Sequence, residues 1–410
     1  MIWTSRVSGL LLLAACAGGD DPASPPLTDD TGDLSELPEL IWALKLEDQL
    51  DLCSARIEGF AQVVDDTVVV GVTDNCSGAS GHVVGLDPSS GAVLWDAALG
   101  GPVVPGTPVY SSATGLLYVV AQPNNHPGSD VLAAVSPSDG SVIWSTRGCS
   151  DSVMNYSPLV SDGMLFSACD DEDGWAGAAA FDAASGEQIW AIANGYAIEP
   201  SASPAVDADS GAVFFAGQGG LQAIDAASGD ERWLAEGWFA SVVVPVAGIV
   251  VASDRQTGEM TAFDVATGAE VWSQPNEECF VVGLHAVDGT LLQAGCGVSI
   301  YDQVAAYDPL NGALLWRVEL GSELAGGGSS DGVQPPFVEN GEAYYGTDSG
   351  FCPVKLSDGT PGSCVGDLGR FEREDGIYEQ ATCTSRPALD SPYSGCTDAD
   401  GAVVMAFGWP

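Results

Sequence analysis

One phrase occurs six times in the middle of the chain and constrains the fold more than any other feature of the sequence. In each copy a small residue, an apolar residue and Asp or Ser lead into a short turn that ends at Gly, and Trp follows four residues later. The copies end at Trp95, Trp144, Trp190, Trp233, Trp272 and Trp316. Successive Trp residues are 39 to 49 residues apart, so the loops vary in length while the phrase does not. A conserved phrase at this period is typical of a repeat architecture.

The chemistry of the phrase predicts a β-hairpin. In the copy from Ala262 to Trp272, Asp264 can accept backbone N–H groups of the turn, and Gly268 can adopt the positive φ that closes it. Two short apolar runs precede the phrase, the second of them behind a turn signal, as in residues 202–205 and 211–215, so each unit contains four short strands. Four-stranded units of roughly 40–50 residues are typical of β-propeller blades.

The composition agrees with this fold class and excludes one class of partner. The 410 residues include 52 Gly and 24 Pro, and only 17% are charged, which is typical of a turn-rich all-β protein. The formal net charge is −46, so the chain repels the phosphates of nucleic acids and anionic lipid headgroups at long range. We therefore expect no nucleic acid partner, and membrane contact only through a covalent anchor.

The two ends of the repeat region decide the number of blades. Residues 335–359 form a seventh unit in which Ser363 occupies the Trp position, and residues 402–405 resemble the second strand of a unit, Ala212–Phe214. Residues 40–46, around Trp42, resemble a Trp strand without the strands that precede it. We therefore predict an all-β, eight-bladed propeller of four-stranded blades over residues 39–410, closed by the N-terminal strand. Seven blades are the alternative if residues 361–410 form an appendage.

The N-terminus has the features of an export signal. Arg6 precedes an apolar stretch that is too short to span a bilayer, and Leu13-Ala14-Ala15-Cys16 resembles the lipobox of bacterial lipoproteins. The resemblance implies that residues 1–15 are a signal peptide and that Cys16 is the lipidated first residue of the mature protein. An ordinary secretory signal with an incidental Cys is the alternative. Residues 16–38, rich in Asp, Pro, Ser and Thr, are predicted to be a disordered tether. Ala17, where the family places Asp for inner-membrane retention, implies anchoring at the outer membrane, facing the periplasm or the cell surface.

The cysteines agree with an exported protein. Without Cys16 ten Cys remain, an even number, as expected of a chain that forms disulfides outside the cytoplasm. They fall into five neighbouring couples, for which local disulfides are the simplest prediction: Cys53 with Cys76, Cys149 with Cys169, Cys279 with Cys296, Cys352 with Cys364, and Cys383 with Cys396.

The repeated phrase resembles the tryptophan-docking repeat of the quinoprotein family. That family includes pyrroloquinoline-quinone dehydrogenases and the propeller lipoprotein of the outer-membrane barrel assembly machinery, and the resemblance covers most of residues 40–410. It implies that the Trp lies on the outermost strand of each blade and packs between adjacent blades. The residues to which this role applies are Trp42, Trp95, Trp144, Trp190, Trp233, Trp272 and Trp316.

Two functions follow from the resemblance. The first is a pyrroloquinoline-quinone-dependent dehydrogenase of alcohols or sugars. For that activity the resemblance implies a Cys-Cys dipeptide beside the cofactor or a Cys-x-x-Cys-His cytochrome motif, and the chain has neither. The second, which we favour, is a non-catalytic scaffold that binds a protein or polymer partner at the outer membrane. We therefore assign no catalytic, cofactor-binding or metal-binding residue.

Calcium binding is a third hypothesis. Oxygen-rich stretches occur at Asp170–Gly174, Asp207–Asp209 and Asp398–Gly401, and carboxylate oxygens are the ligands that hard cations prefer. None of the three has the full spacing with a distal Glu that a calcium loop requires. Acidic loops of this kind are common on the surface of a strongly acidic protein, so calcium binding is not the favoured interpretation.

Overall fold

The structure is a computed structural model of the chain, and the statements below concern the residues that it describes. These are residues 10–16, 39–52, 55–64, 66–74, 80–103, 108–121, 131–147, 152–153, 158–171, 176–193, 204–217, 219–239, 243–254, 257–275, 281–296, 300–321, 324, 336–347, 350–363, 370–373, 376–379 and 402–408.

The chain begins with two strands and a short helix, followed by a series of antiparallel sheets. The first elements are β1 (Leu10–Cys16), β2 (Glu39–Lys45) and α1 (Leu46–Leu50). The next two sheets are β3 (Ala55–Val64), β4 (Thr67–Asp74), β5 (Ser80–Leu86), β6 (Val93–Leu99), and β7 (Val109–Ser111), β8 (Leu116–Ala121), β9 (Val131–Val135), β10 (Val142–Arg147). The third is β11 (Ser152–Val153), β12 (Leu159–Ser161), β13 (Met164–Asp171), β14 (Ala176–Asp182), β15 (Gln188–Ala193).

Three further four-stranded sheets follow in chain order. They are β16 (Ala205–Asp207), β17 (Ala212–Gly217), β18 (Gly220–Asp225), β19 (Glu231–Ala235); β20 (Val244–Val246), β21 (Ile249–Ser253), β22 (Met260–Asp264), β23 (Glu270–Gln274); and β24 (Val281–Val287), β25 (Thr290–Cys296), β26 (Ile300–Tyr307), β27 (Leu314–Glu319). The remaining strands are β28 (Phe337–Glu339), β29 (Glu342–Thr347), β30 (Gly350–Lys355), the hairpin β31 (Arg370–Arg373) and β32 (Gly376–Glu379), and β33 (Ala402–Gly408). The predicted all-β class is confirmed.

The repeated phrase forms the predicted hairpin. In the copy between β22 and β23, the Thr267 amide and hydroxyl donate to Asp264 Oδ1 at 2.9 Å and 2.7 Å. The Gly268 amide donates to the Asp264 carbonyl at 2.9 Å, and Gly268 has a φ of +69°. Because Thr267 hydrogen-bonds to the ionised carboxylate, the pKa of Asp264 is lowered from its ordinary value. The turn chemistry that the sequence predicts is therefore confirmed.

Each Trp strand contains a bulge that the sequence analysis does not predict. In the pairing of β22 with β23, Ala262 faces Trp272 and Phe263 faces Glu270, so Val271 is an extra residue in the ladder. The residue directly before the Trp is skipped in the same way at Leu94, Ile143, Ile189, Arg232 and Leu315. A bulge of this type bends and twists a strand locally, so the residues around it are redirected.

The N-terminal strand pairs with the last strand, as predicted. In this three-stranded sheet β33 lies between β1 and β2, and Trp42 faces Ala406. A register shift between Leu40 and Trp42 matches the bulge of the other Trp strands. The prediction that residues 402–405 form the second strand of a unit is therefore wrong. β33 pairs with the Trp strand, and in the four-stranded sheets the strand that does so is the third. Processing at Cys16 would remove the preceding residues of β1 from this sheet.

Three strands of the seventh unit, β28 to β30, lie among the described residues. Ser363, at the Trp position, is exposed and lies outside these strands. The described residues thus include six complete phrase-bearing sheets, this three-stranded sheet and the sheet of β1, β33 and β2. The number of blades, eight or seven, stays a prediction, because the contact that would close the ring lies outside the described residues.

The core lies between the sheets. Seven clusters of buried apolar residues each join two sheets that are consecutive in the chain, counting the sheet of β2 as the first. First strands also contact one another in order, from β7 to β12, β16, β20 and β24. Sheets that pack in sequence around converging first strands have the arrangement of a β-propeller. Among the described residues no helix has the length and apolar character needed to cross a membrane.

Candidate functional site

Seven Trp side chains contact the sheet that follows their own. Each indole Nε1 donates a hydrogen bond to a backbone carbonyl in the hairpin turn of the next sheet, and the acceptor residue lies three positions before the turn Gly. The bonds are Trp42 to Pro88 (2.8 Å), Trp95 to Pro137 (2.9 Å), Trp144 to Ala183 (3.1 Å), Trp190 to Ala226 (2.9 Å), Trp233 to Val265 (2.9 Å), Trp272 to Pro309 (2.8 Å) and Trp316 to Leu356 (2.9 Å). The hydrogen bond satisfies the indole N–H at an apolar interface, where an unpaired donor would be costly.

The indole ring also lies against the turn Gly of the next sheet. A Cβ added to Gly268 would lie 2.6 Å from Trp233 Cδ2, closer than such atoms can approach. The same contact, at 2.5 to 2.8 Å, occurs at Gly91, Gly140, Gly186, Gly229, Gly312 and Gly359. The sequence explains these glycines only by their positive φ. The structure adds a second requirement, which is room for the Trp of the preceding sheet.

The cysteine predictions fall mostly outside the described side chains. Cys352 is disulfide-bonded and 1% exposed, and its partner is not among the side chains that the structure describes. Cys16, Cys169 and Cys296 are described only as strand residues, and the other predicted couples include residues outside the described ranges. The pairing of all five couples and the lipidation of Cys16 therefore stay predictions.

The outermost strands expose apolar side chains next to the buried Trp residues. Leu94, Ile143, Ile189 and Val271 are each about half exposed at the bulge position. Among the described residues the largest group lies around β27, where Leu310, Leu314 and Leu315 are 64%, 50% and 54% exposed. We call these three residues the β27 patch. Grouped exposed apolar residues on a soluble protein frequently mark an interaction surface.

Arg232 takes the place of an apolar residue at the bulge position of β19. Its guanidinium donates to the carbonyls of Ser210 and Gly211, at 2.9 Å and 3.0 Å, and forms an ion pair with Asp225 at 2.7 Å. These groups line a cavity of about 300 Å³ between the sheets of β12 and β16. Because Arg232 already binds three groups of its own chain, it serves to hold the turns of β16 and β18 together.

The acidic stretches do not form a metal site in the described part of the chain. There, no group of three or more His, Cys, Asp and Glu side chains is placed to hold a metal ion. Asp207 accepts a hydrogen bond from the Ser210 amide at 3.1 Å and so stabilises its own turn. The carboxylates of residues 170–173 and 398–400 lie outside the described side chains, and calcium binding there stays untested.

Comparison with known families identifies the chain. A family model described as outer membrane protein assembly factor BamB matches residues 79–241 and 256–361, which is more than half of the sequence. The chain belongs to the BamB family. The match begins one residue before β5 and ends after β30, so it covers all six phrases of this BamB-family protein. No curated protein sequence matches the chain.

Solved structures support the same fold. BamB from Moraxella catarrhalis is 16% identical, with a TM-score of 0.53, and the alignment covers 91% of this chain and 98% of that one. A europium-containing methanol dehydrogenase is 12% identical, with a TM-score of 0.58 and coverage of 90% and 93%. A quinohemoprotein alcohol dehydrogenase from Comamonas testosteroni is 12% identical, with a TM-score of 0.57 and coverage of 93% and 78%. At these identities the similarity shows the β-propeller fold alone.

Proposed function

We propose that this BamB-family protein is an extracytoplasmic propeller scaffold that binds a protein partner at the outer membrane. The family match carries the proposal, since the matching model is described by a role in the assembly of outer membrane proteins. The net charge of −46 favours a partner with a basic contact surface. A lipid on Cys16, followed by the tether of residues 17–38, would hold the propeller near the membrane.

We further propose the β27 patch as the surface that the partner contacts. Leu310, Leu314 and Leu315 lie on the outermost strand of their sheet or in the turn that leads to it. This strand has one edge without a neighbour in its described sheet. Natural proteins usually protect such edges with charged residues, so two consecutive exposed Leu residues there are a liability unless a partner covers them.

A crosslinking experiment tests the patch. A photoreactive amino acid at position 315 of the lipidated protein should crosslink in cells to one envelope protein, and Leu315→Asp should weaken binding to that protein roughly tenfold, about 1.4 kcal/mol. Position 94 is the matched control, because Leu94 is 52% exposed at the same position of another sheet. Equal crosslinking from positions 94 and 315, or none from 315, would contradict the proposed surface.

The anchor has its own test. Cys16→Ser should move the protein from the membrane fraction to the soluble periplasmic fraction, because the substituted residue cannot accept the lipid. Mass spectrometry of the wild-type protein should find a lipidated Cys16 at the mature N-terminus. A Cys16→Ser protein that stays membrane-bound after processing, or a wild-type N-terminus without lipid, would remove the lipoprotein assignment.

An oxidation assay with added cofactor distinguishes the scaffold from the enzymatic alternative. We expect no oxidation of alcohols or sugars in a dye-linked assay after the purified protein is incubated with pyrroloquinoline quinone and calcium. A quinone enzyme must clamp the cofactor and place a base beside it, and no residue of this chain is assigned to either role. A known quinone-dependent alcohol dehydrogenase, treated in parallel, is the control. Stoichiometric cofactor binding with turnover would favour the dehydrogenase.

A further inference from the structure

Three polar side chains on the sheet of β3 to β6 form one line of hydrogen bonds. Ser80 Oγ lies 3.1 Å from His82 Nε2, and His82 Nδ1 lies 2.9 Å from Asp96 Oδ1. An ionised carboxylate can only accept a hydrogen bond, so His82 Nδ1 carries the proton and donates it to Asp96. His82 Nε2 then presents a lone pair, and the Ser80 hydroxyl donates to it.

Solvent can reach these three side chains, and the neighbouring negative charges favour protonation of His82. The side chains of His82 and Asp96 are 12% and 31% exposed, and Ser80 is partly exposed. The hydrogen bond to Asp96 raises the pKa of His82, burial acts in the opposite direction, and the charges of Asp96 and Asp74 add to the increase. The carboxylates therefore stabilise the imidazolium that would form when His82 takes a proton from Ser80.

We propose that Ser80, His82 and Asp96 form an acyl-transfer site, in which Ser80 is the nucleophile, His82 is the general base and Asp96 positions His82. Nucleophile, base and orienting carboxylate in hydrogen-bond contact are the recurring arrangement of serine hydrolases, which occurs on unrelated folds and in any chain order. The site lies on a different sheet from the β27 patch, so the activity is additional to the scaffold role and does not depend on it.

The charges around the site favour uncharged esters as substrates. Asp74 and Asp96 flank the imidazole, and the chain carries a net charge of −46, so an anionic substrate would be repelled. In the first step Ser80 Oγ attacks the ester carbonyl carbon while its proton passes to His82 Nε2, and the leaving alcohol departs with that proton. In the second step water attacks the acyl-Ser80 ester by the same route, releasing a carboxylic acid and restoring Ser80.

Covalent labelling with a fluorophosphonate tests the nucleophile. In this reaction Ser80 Oγ attacks phosphorus, fluoride leaves, and the serine proton is transferred to His82. We expect one phosphonyl group per chain, located on Ser80 by peptide mapping of the folded wild-type protein. Labelling at other residues only, or no labelling, would overturn the proposal, and this measurement needs no variant to fold.

Variants assign the roles. Ser80→Ala should abolish the adduct, whereas Ser141→Ala should leave it unchanged, because the Ser141 hydroxyl donates to Asp139 at 2.7 Å instead of to a His. His82→Gln should slow labelling by roughly 10²-fold or more, the contribution of a positioned general base. Labelling of the folded His82→Gln variant at the wild-type rate would show that Ser80 is not activated by His82.

The pH dependence distinguishes a positioning role of Asp96 from a structural one. Labelling should increase with pH as His82 loses its proton, with a midpoint above the ordinary His value of about 6.5. Asp96→Asn should move this midpoint to lower pH, because the carboxylate that raises the pKa of His82 is lost and only Asp74 remains among the described groups that act on it. An unchanged midpoint in Asp96→Asn would overturn the role of Asp96.

Discussion

Replacing Trp233 with Ala should lower the free energy of unfolding by about 3–5 kcal/mol, the range for truncation of a large buried aromatic residue. Trp233 is only 8% exposed and lies in the cluster between the sheets of β16 and β20. Its ring centroid is 5.8 Å from that of Phe214 in its own sheet and 6.3 Å from that of Phe263 in the next. Truncation would remove these contacts and leave the Val265 carbonyl without the indole donor.

Two further variants separate burial from the hydrogen bond. Val271→Ala also shortens an apolar side chain on a Trp strand, but Val271 is 47% exposed, so its effect should stay within about 0.5 kcal/mol. Trp233→Phe keeps an aromatic ring and removes the Nε1 donor, so its cost should fall between those of the other two. Chemical denaturation measures all three. If Trp233→Ala cost no more than Val271→Ala, the ring would not stabilise the contact between the two sheets.

Gly268→Ala should be almost as destabilising, although it adds only one methyl group. An L-residue at a φ of +69° costs about 1–2 kcal/mol, and forcing a Cβ to within 2.6 Å of the Trp233 ring adds about 1–3 kcal/mol of overpacking. Gly248→Ala is the matched control, because Gly248 has a φ of +81° and no atom within 4 Å of the added Cβ. That variant should show the backbone cost alone.

A double variant with Trp233→Ala and Gly268→Ala tests whether the added Cβ at position 268 destabilises the protein through the Trp233 ring. Removing the indole in Trp233→Ala also removes the atoms that a Cβ at position 268 would strike. The combined variant should therefore be less destabilised than the sum of the single variants, as expected of residues in contact. Equal costs for Gly268→Ala and Gly248→Ala, or strict additivity in the double variant, would contradict the contact between the Trp ring and the turn Gly.

The hairpins could be predicted because their information is local. Asp264, Thr267 and Gly268 lie within five residues, and their turn forms from hydrogen bonds between near neighbours. The bulge at Val271 could not be predicted in the same way, because an extra residue in a ladder is defined only by the strand it pairs with. In five of the six phrase-bearing sheets the bulge places an apolar residue at the surface beside the Trp, a pattern that hydrophobicity alone does not distinguish.

The sheet of β1, β33 and β2 shows a second limit of prediction from the sequence. Similarity to Ala212–Phe214 assigns residues 402–405 to a second strand, whereas their pairing with Lys45, Leu44 and Ala43 places them in a third strand. A run of apolar residues such as Ala402–Phe407 fits either position, since both are buried strands in this fold. The pairing of Ala406 with Trp42 resolves the ambiguity, and it joins residues from opposite ends of the chain.

The sequence by itself determined the repeat, the all-β class, the turn at each phrase and the family, because these depend on residues close together in the chain. Only the tertiary structure decided which glycine each Trp covers, which side chains stay exposed on β27, and that Asp96 meets His82. Asp96 lies 14 residues after His82, beyond a turn and a bulge, and a shift of one residue in the register would turn it to the other face of the sheet. Such contacts depend on strand register and sheet packing, which only the folded chain specifies.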